Sequence, residues 1–254
     1  MHLLARKLRH GANLTKDDEE ALARATGAVR RVPARADILL EGAPTRSLFV
    51  VLEGWACTYK VLENGKRQII SFLLPGDLSE PFGVLPNFSN HTVGAITAVK
   101  LTEVSLPDLQ TAARSSPRIE RALWWDLLVA GATDRERIVN LGRRVATERL
   151  GHLLCELHLR LRMVGLSDGL VCDFPPPQAD LADACGLSVV HVNRSLQQLR
   201  SSGLISLLNR RLTIHDLDQL RASSLFDPTY LHLRDDLSGR VLDAGDPMPV
   251  RISI

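Results

Sequence analysis

The feature that most constrains the fold is a pair of short amphipathic segments that meet at one glycine. Residues 179–205 read ADLADACGLSVVHVNRSLQQLRSSGLI. Gly186 readily takes the left-handed conformation that ends a helix, and Ser188 is well placed to cap the helix that follows. The pattern therefore predicts one helix over 178–185 and a second over 189–201.

The second of these helices is predicted to bury one side and to expose the other. Val192, Leu196 and Leu199 recur at helical spacing and form an apolar stripe. A small hairpin follows, with strands expected at 204–207 and 212–214. Two helices joined by a glycine turn and followed by a hairpin are typical of a winged helix-turn-helix that binds DNA. The alternative is an ordinary helical hairpin without DNA affinity.

The predicted DNA-binding segment is locally basic although the whole chain is nearly neutral. The formal net charge is only +2, which does not by itself indicate a nucleic-acid partner. Four arginines, however, occur within this segment, where they would attract phosphates. They are Arg194, Arg200, Arg210 and Arg211.

The N-terminal part of the chain has the pattern of an antiparallel β-roll or sandwich. Short β-favouring runs are separated by glycines at intervals of roughly 8 to 12 residues. These runs are 38–40, 48–52, 55–62, 67–74, 92–99 and 101–106. Asn64-Gly65 is a signal for a two-residue hairpin turn, in which both positions take positive φ. A helix over 14–28, capped by Thr15, is expected to precede the roll.

A long helical pattern follows Pro107, and its apolar side is a candidate dimer seam. Pro117 suits the first turn of a long helix, and the charged interruption 142–144 is a candidate hinge into a second helix over 146–162. The opposite face carries 135–137 and Asn140. The apolar side could instead cover the roll. The predicted dimerisation residues are Trp124, Leu127, Gly131, Ile138 and Leu141.

With 254 residues, the chain is expected to divide into several parts. We predict an N-terminal helix and β-roll sensory domain over 1–112 and a long dimerisation helix with its hinge over 113–142. A winged helix-turn-helix is expected over 143–216, and a C-terminal helix with an irregular tail over 217–254. The fold class is therefore α+β.

Composition and motifs argue against several other classes of protein. No apolar run is long enough for a membrane span, so a cytoplasmic protein without a membrane partner is expected. The four cysteines form no CxxC pair, so neither a metal site nor a cofactor is expected, although Cys185 is a candidate redox thiol. The sequence also lacks a nucleophile elbow and a P-loop, which argues against an enzyme.

The order of these features resembles the Crp/Fnr family of bacterial transcription regulators. The resemblance runs from about residue 20 to about residue 215, and the helix-turn-helix segment is its most specific part. The segment LFVVLEGWACTYKVLENGKRQIISFLLPGDL supports it. The resemblance implies a homodimer that binds a palindromic double-stranded promoter site, and that contacts RNA polymerase if it is an activator. A ligand-sensing roll with a C-terminal protein-interaction domain is the alternative.

The resemblance also assigns roles within the recognition helix. Arg194 matches the arginine that reads bases in this family, whereas Val190 stands where a glutamate is expected. Valine offers only apolar contact, for example with a thymine methyl, so the operator should differ from those of glutamate-bearing members. Ser188 and His191 match positions of phosphate contacts. The full set of predicted DNA-binding residues is Ser188, Val189, Val190, His191, Asn193, Arg194, Arg200, Arg210 and Arg211.

The sensory part departs from the cyclic-nucleotide-binding members of the family. Those members use an arginine to hold the cyclic phosphate, and here no arginine follows Glu80; Asn90, His91 and Thr92 stand in that region instead. Glu80, His91 and Thr92 are the candidate effector-binding residues. The cysteine-rich segment of the iron-sulfur members is also missing. Cyclic AMP is therefore not the expected ligand, and the sequence does not identify the effector.

Overall fold

Two antiparallel sheets form the N-terminal roll in the computed structural model, which describes residues 2–45, 47–80 and 88–233. The strands are β1 (Thr26–Val32), β2 (Asp37–Leu39), β3 (Leu48–Glu53), β4 (Ala56–Val61), β5 (Arg67–Leu73), β6 (Thr92–Ala95) and β7 (Val99–Val104). One sheet has the order β1-β7-β3 and the other β2-β6-β4-β5. The predicted antiparallel roll, and with it the α+β class, is confirmed.

Two helices precede the roll, and both differ from the prediction. Helix α1 (His2–Leu8) had not been predicted, and α2 (Lys16–Arg24) is shorter than expected. The predicted helix over 14–28 was too long because β1 starts at Thr26, and the inner residues of this strand are all exposed. A strand without apolar alternation gives no period-two signal. The predicted cap is confirmed, since the Thr15 hydroxyl accepts a hydrogen bond from the Asp18 N–H.

The hairpin between β4 and β5 has a longer turn than expected. Val61 pairs with Arg67, and the Leu62 N–H donates to the Lys66 carbonyl at 2.9 Å, which leaves a three-residue loop over 63–65. Gly65 has a φ of 79°, whereas Asn64 is not among the residues with positive φ. The two-residue turn was therefore wrong, and a three-residue loop with glycine in the left-handed position replaces it.

Three helices connect the roll to the C-terminal part. They are α3 (Leu106–Ser115), α4 (Pro117–Arg143) and α5 (Ala146–Met163). The chain leaves helical geometry at Arg144 and Val145, whose ψ angles are 144° and 165°. The hinge therefore lies just after Gly142, which is still helical. The predicted boundary between residues 112 and 113 falls inside α3, and the division into domains stays a prediction.

Two polar side chains of the long helix α4 face its own chain. Arg137 and Asn140 are buried. The Arg137 guanidinium donates to the Ile70 carbonyl at 2.6 Å, and the Asn140 amide donates to the Arg149 carbonyl at 3.1 Å. Their hydrogen bonds satisfy polar groups that face α5 and the roll.

The apolar side of α4 is the exposed one. Trp124, Leu128 and Ile138 are 51%, 50% and 71% exposed, while Leu127 and Leu141 are half-buried. The alternative in which this apolar stripe covers the roll is therefore wrong for the three exposed side chains. Exposed large apolar residues along one stripe of a helix indicate a surface that another molecule covers.

The C-terminal part has two helices, α6 (Gln178–Cys185) and α7 (Val189–Ser201), packed on a small sheet. The sheet has the order β10-β11-β9-β8. Its strands are β8 (Ser167–Asp168), β9 (Val171–Asp173), β10 (Ile205–Leu208) and β11 (Arg211–Ile214). Strands β8 and β9 were not predicted, because two or three residues are too few to show a periodicity.

The C-terminal strap, which we define as residues 224–233, follows α8 (Leu217–Ser223) and returns to the long helix. It includes a single 3-10 turn, Pro228–Leu231. Leu231 is buried, and the Trp125 indole N–H donates to the His232 carbonyl at 3.1 Å. The remainder of the predicted irregular tail, from residue 234 onward, lies outside the described residues.

One apolar cluster joins the roll to the C-terminal part. The Trp55 ring meets Phe72 and Phe174 edge-on, with centroids 6.1 and 5.6 Å apart. Phe72 belongs to β5 and Phe174 directly follows β9, so the contact crosses between the two parts of the chain. Within the ranges that the structure covers, no helix is both long and apolar enough to cross a bilayer.

A buried histidine lies at the junction of α4, α5 and the strap. His152 is only 2% exposed, and its ring meets Phe226 edge-on at 4.8 Å and stacks on Tyr230 at 6.0 Å. The charged groups that face it are Glu136, Glu156, Arg137 and Arg144. Burial dominates and lowers the pKa of His152 to about 4.

We expect the free energy of unfolding to decrease as the pH falls from about 6.5 toward 4. In this range the unfolded chain binds a proton at His152 that the folded chain excludes, at a cost of about 1.4 kcal/mol for each unit of pKa difference. Urea titrations at several pH values measure the slope of the free energy of unfolding against pH. His152→Gln should flatten it, and the same change at the exposed His215 should not. Equal slopes in all three proteins would show that His152 is not responsible.

Candidate nucleic-acid interface

The two C-terminal helices have the bounds and the turn expected from the sequence. Gly186 takes the left-handed conformation with φ 61° and ψ 38°, and the Leu187 N–H donates to the Ala182 carbonyl at 3.0 Å. The Ser188 hydroxyl then accepts the His191 N–H at 3.2 Å and caps α7. The local sequence is sufficient to predict these helix bounds, because the glycine turn and the serine cap satisfy the free backbone groups at the two helix ends.

Helix α7 is buried on one side and exposed to solvent on the other. Val192, Leu196 and Leu199 are buried against the rest of the C-terminal part. Residues 190, 193, 194 and 197 follow the spacing of a single helix face, and all four are exposed. Gln197 was missed by the sequence analysis, although its distance of three residues from Arg194 could have indicated it.

All the predicted DNA-binding residues are exposed in the structure. Val189 and Val190 are among the exposed large apolar residues, which is unusual for valines in a helix of a small domain. The Asn193 amide donates to the Gln178 side chain of α6 at 3.3 Å, which holds the start of α6 next to the bare face of α7. The exposed set is Ser188, Val189, Val190, His191, Asn193, Arg194, Arg200, Arg210 and Arg211.

The hairpin tip presents an arginine in a fixed backbone conformation. Asn209 and Arg210 both have positive φ, of 52° and 59°, as in the tight turns that match the twist of a hairpin. The Phe174 N–H donates to the Arg210 carbonyl at 2.7 Å, which ties the tip to the segment before α6. Arg211 Nε lies 3.7 Å from the exposed Asp173 carboxylate. Such an ion pair on the surface contributes little to the stability of the fold.

Ion pairs join α6 to the roll and so fix where α7 lies. The Asp180 carboxylate, 1% exposed, accepts hydrogen bonds from both Arg35 and Arg67 of the roll. Arg67 also donates through Nε to the Asp183 carboxylate at 2.7 Å. These pairs could not be predicted from the sequence, because more than 100 residues separate the partners along the chain.

The cysteines do not form a reactive or metal-binding site among the described residues. All four are buried, and burial raises the pKa of Cys185 to about 12. A thiol that is both inaccessible and hard to ionise does not react readily, so the structure does not support the prediction of a redox thiol at Cys185. No group of three or more potential metal ligands occurs in the described part of the chain.

A cavity of about 370 Å³ lies between the roll and α4, and we call it the roll–helix cavity. Its walls come from β4, β5, the 77–80 turn, α4, α5 and the strap. The structure brings two of the three candidate effector residues to it, with Glu80 Oε1 3.7 Å from His91 Nε2. Thr92 does not line the cavity; its hydroxyl accepts the Glu41 N–H at 3.0 Å. Burial raises the pKa of Glu80 and lowers that of His91.

A network of buried charges forms the floor of the roll–helix cavity. Lys7 of α1 pairs with Asp77 and Asp126, and Arg160 of α5 pairs with Asp77 and Glu156. The network therefore joins α1, the roll, α4 and α5. This network could not be predicted from the sequence, since Lys7 lies among scattered charges of the N-terminal segment without a motif.

Comparisons with known proteins match both parts of the chain. A family model of the cyclic nucleotide-binding domain matches residues 29–116, and one of the Crp-like helix-turn-helix domain matches residues 148–223. The nitrogen fixation regulation protein FixK of Azorhizobium caulinodans is 32% identical over 177 residues, which cover 69% of this chain and 70% of FixK. The transcriptional activatory protein AadR of Rhodopseudomonas palustris is 30% identical over 210 residues, or 80% of this chain and 84% of AadR.

A solved structure shows the same fold over both parts. FixK2 from Bradyrhizobium japonicum superposes with a TM-score of 0.67 at 26% sequence identity. The match covers 77% of this chain and 96% of FixK2. The roll, the long helix and the helix-turn-helix thus occur together in a related protein.

Proposed function

Because the chain belongs to the Crp/Fnr family of DNA-binding transcription regulators, we propose that it binds a palindromic promoter site as a homodimer. In each half-site α7 would enter the major groove, with Val190, Asn193 and Arg194 facing base edges. The observation that carries the proposal is the bare polar face of α7 opposite its buried stripe. A protein-interaction domain without DNA affinity, the alternative from the sequence, gives no account of the Crp-like match over 148–223.

The homodimer is supported by the exposed side of α4. Residues 124, 128, 131, 135, 138 and 142 follow the alternating four- and three-residue spacing of a helix pair. A side chain at Gly142 would meet nothing within 4 Å, so the fold of one protomer does not require glycine there. Glycine is unfavourable within a helix. Its presence at position 142 is explained if a second helix approaches closely there. The seam would contain Trp124, Leu127, Gly131, Ile138 and Leu141.

We assign the roll–helix cavity as the effector site of this regulator. It lies against the helix of the proposed seam, so a ligand there could change how two α4 helices pair. The described lining offers no arginine free to hold a phosphate, because Arg160 is already bonded to two carboxylates. Cyclic AMP is therefore not proposed as the ligand.

The remaining parts of the proposal concern the setting in which the protein acts. Bacterial chromosomal DNA lies in the cytoplasm, and the protein would act there. An activator would in addition contact RNA polymerase, and the name of the relative AadR refers to activation.

We expect Arg194→Ala to weaken binding to the specific operator by about 1 to 3 kcal/mol and to relax the preference at one base pair. The reason is that a guanidinium can donate two hydrogen bonds to guanine O6 and N7. The operator is first selected from random duplexes. Fluorescence anisotropy at fixed salt then measures the affinity of each variant for the operator and for random DNA.

Arg210→Ala is the matched control, because it removes the same side chain from the hairpin tip. It should weaken binding to every DNA sequence. It should also reduce the slope of the logarithm of the binding constant against the logarithm of the salt concentration by about one. An equal loss for Arg194→Ala on operator and random DNA would show that Arg194 does not read bases. No binding of the wild-type protein to any selected duplex would overturn the proposed function.

A further inference from the structure

The cationic groups that line the roll–helix cavity are already neutralised. Lys7 Nζ lies 2.8 Å from an Asp77 oxygen and also contacts Asp126, and Arg160 contacts Asp77 at 2.8 Å and Glu156 at 3.3 Å. Lys7 is buried and Arg160 is half-buried, with side chains 11% and 13% exposed, so these pairs are only weakly screened by solvent. An anionic ligand would have to compete with these carboxylates for the cations.

Two other carboxylates at the cavity have no such cation. Within the described residues, Asp134 of α4 forms no ion pair, and Glu80 lies 3.7 Å from His91 Nε2, which would form an ion pair with it only if the imidazole were protonated. This part of the cavity is therefore electrostatically negative.

His91 offers a free acceptor next to Glu80. Its Nδ1 lies 2.7 Å from the Asn90 side-chain oxygen, which can only accept, so Nδ1 carries the proton. Nε2 is then an unprotonated acceptor, is buried and has no hydrogen-bond partner among the described residues. Two acceptors 3.7 Å apart cannot bond to each other, but a nitrogen donor between them could reach both at normal hydrogen-bond distance.

The remaining walls are largely apolar. They include Ile70, Leu73 and Val129 from the roll and α4, and Leu231 and Leu233 from the strap. A cavity with apolar walls and a few converging polar groups is the usual form of a small-molecule site.

We propose that the roll–helix cavity binds a small primary amine. Its ammonium group donates to Glu80 Oε1 and His91 Nε2, and its hydrocarbon part lies against the apolar walls. The inference rests on the proposed function, in which this cavity is the effector site. The proposed ligand is a cation, whereas the ligand of the cyclic-nucleotide-binding members of the family is an anion.

Isothermal titration calorimetry on the full chain tests the charge and the position of the ligand. The probes are butylamine and 2-phenylethylamine, with 2-phenylethanol as the neutral analogue, phenylacetate as the anionic one, and cyclic AMP. At least one amine should bind ten times more tightly than 2-phenylethanol, phenylacetate and cyclic AMP. Glu80→Gln should weaken amine binding at least tenfold, whereas the control Glu53→Gln, at an exposed glutamate paired with Lys100, should leave it unchanged.

His91→Leu provides a second variant in case Glu80→Gln does not fold, and it too should weaken amine binding. The inference is overturned if no amine binds, if an analogue without the ammonium group binds equally well, or if cyclic AMP binds more tightly. Operator binding is measured on the same preparations. Retained operator binding without amine binding refutes this inference alone, and absent operator binding refutes the proposed function.

Discussion

Gly131→Glu is expected to convert the protein from a dimer to a monomer and to lower its affinity for a palindromic operator about 100-fold or more. The affinity of a dimer gains from linking two binding events, and this gain is lost in the monomer. Gly131 lies on the exposed side of α4 between Leu128 and Ile138. Across a two-fold axis the variant would place two bulky glutamate side chains at an apolar seam where glycine lets the two helices approach closely.

The substitution is suitable because it should not damage the protomer. A Cβ at Gly131 would lie 3.4 Å from Nη1 of Arg135, the far end of a flexible side chain. Glutamate also favours a helix more than glycine does, by about 0.5 to 1 kcal/mol. A loss of dimer would therefore report on the seam and not on unfolding.

Sedimentation equilibrium measures the state of association, and anisotropy measures the affinity for the operator. Gln110→Glu in α3 is the control, because it adds the same charge to an exposed helix away from the seam. The control should remain a dimer. A folded wild-type monomer, or an unchanged dimer in the Gly131 variant, would contradict the seam.

The helix-turn-helix could be predicted almost to the residue because every signal for it is local. Gly186 ends one helix and Ser188 caps the next, and each acts on backbone groups only a few residues away. Strands β1, β8 and β9 could not be predicted. Their pairing partners are distant or their length is too short, so hydrogen bonding across the sheet, and not apolar periodicity, determines them.

The sequence separates the two faces of α4 but does not show which of them faces the protomer. The apolar face was predicted either to form a dimer seam or to cover the roll, and the seam stays a prediction. On the opposite face, Arg137 and Asn140 form hydrogen bonds with α5 and β5. Periodicity identifies a face, whereas its environment depends on partners elsewhere in the chain.

The helix-turn-helix part of the candidate site was predictable for the same local reason, and the cavity next to the roll was not. Glu80 and His91 are neighbours in space because the roll brings them together, while Lys7 and Arg160 reach the same cavity from α1 and α5. Nothing near Lys7 in the sequence indicates a partner at Asp77. A charged side chain far from any motif becomes informative only when its burial is known.

Glu156→Gln is expected to lower the free energy of unfolding by about 3 to 5 kcal/mol at neutral pH. The carboxylate of Glu156 lies between Arg137 and Arg160, and Tyr230 donates a hydrogen bond to it at 3.2 Å. Removing its charge leaves the buried Arg137 guanidinium with neutral acceptors in place of a carboxylate, and an uncompensated buried charge is costly. Urea unfolding measures the change, with Glu120→Gln at an exposed site of α4 as the control.

The pH dependence of this difference distinguishes a charge effect from a packing effect. Burial alone would raise the pKa of Glu156, but the charges of Arg137 and Arg160 outweigh it and hold the pKa below its usual 4.5. The stability that the carboxylate contributes is thus present above about pH 4.5 and is lost as the pH falls through the lower folded-state pKa. The wild-type protein and the variant should therefore converge in stability at acidic pH. A gap that stays constant from pH 7 to pH 3 would indicate altered packing around the amide instead of the lost ion pairs.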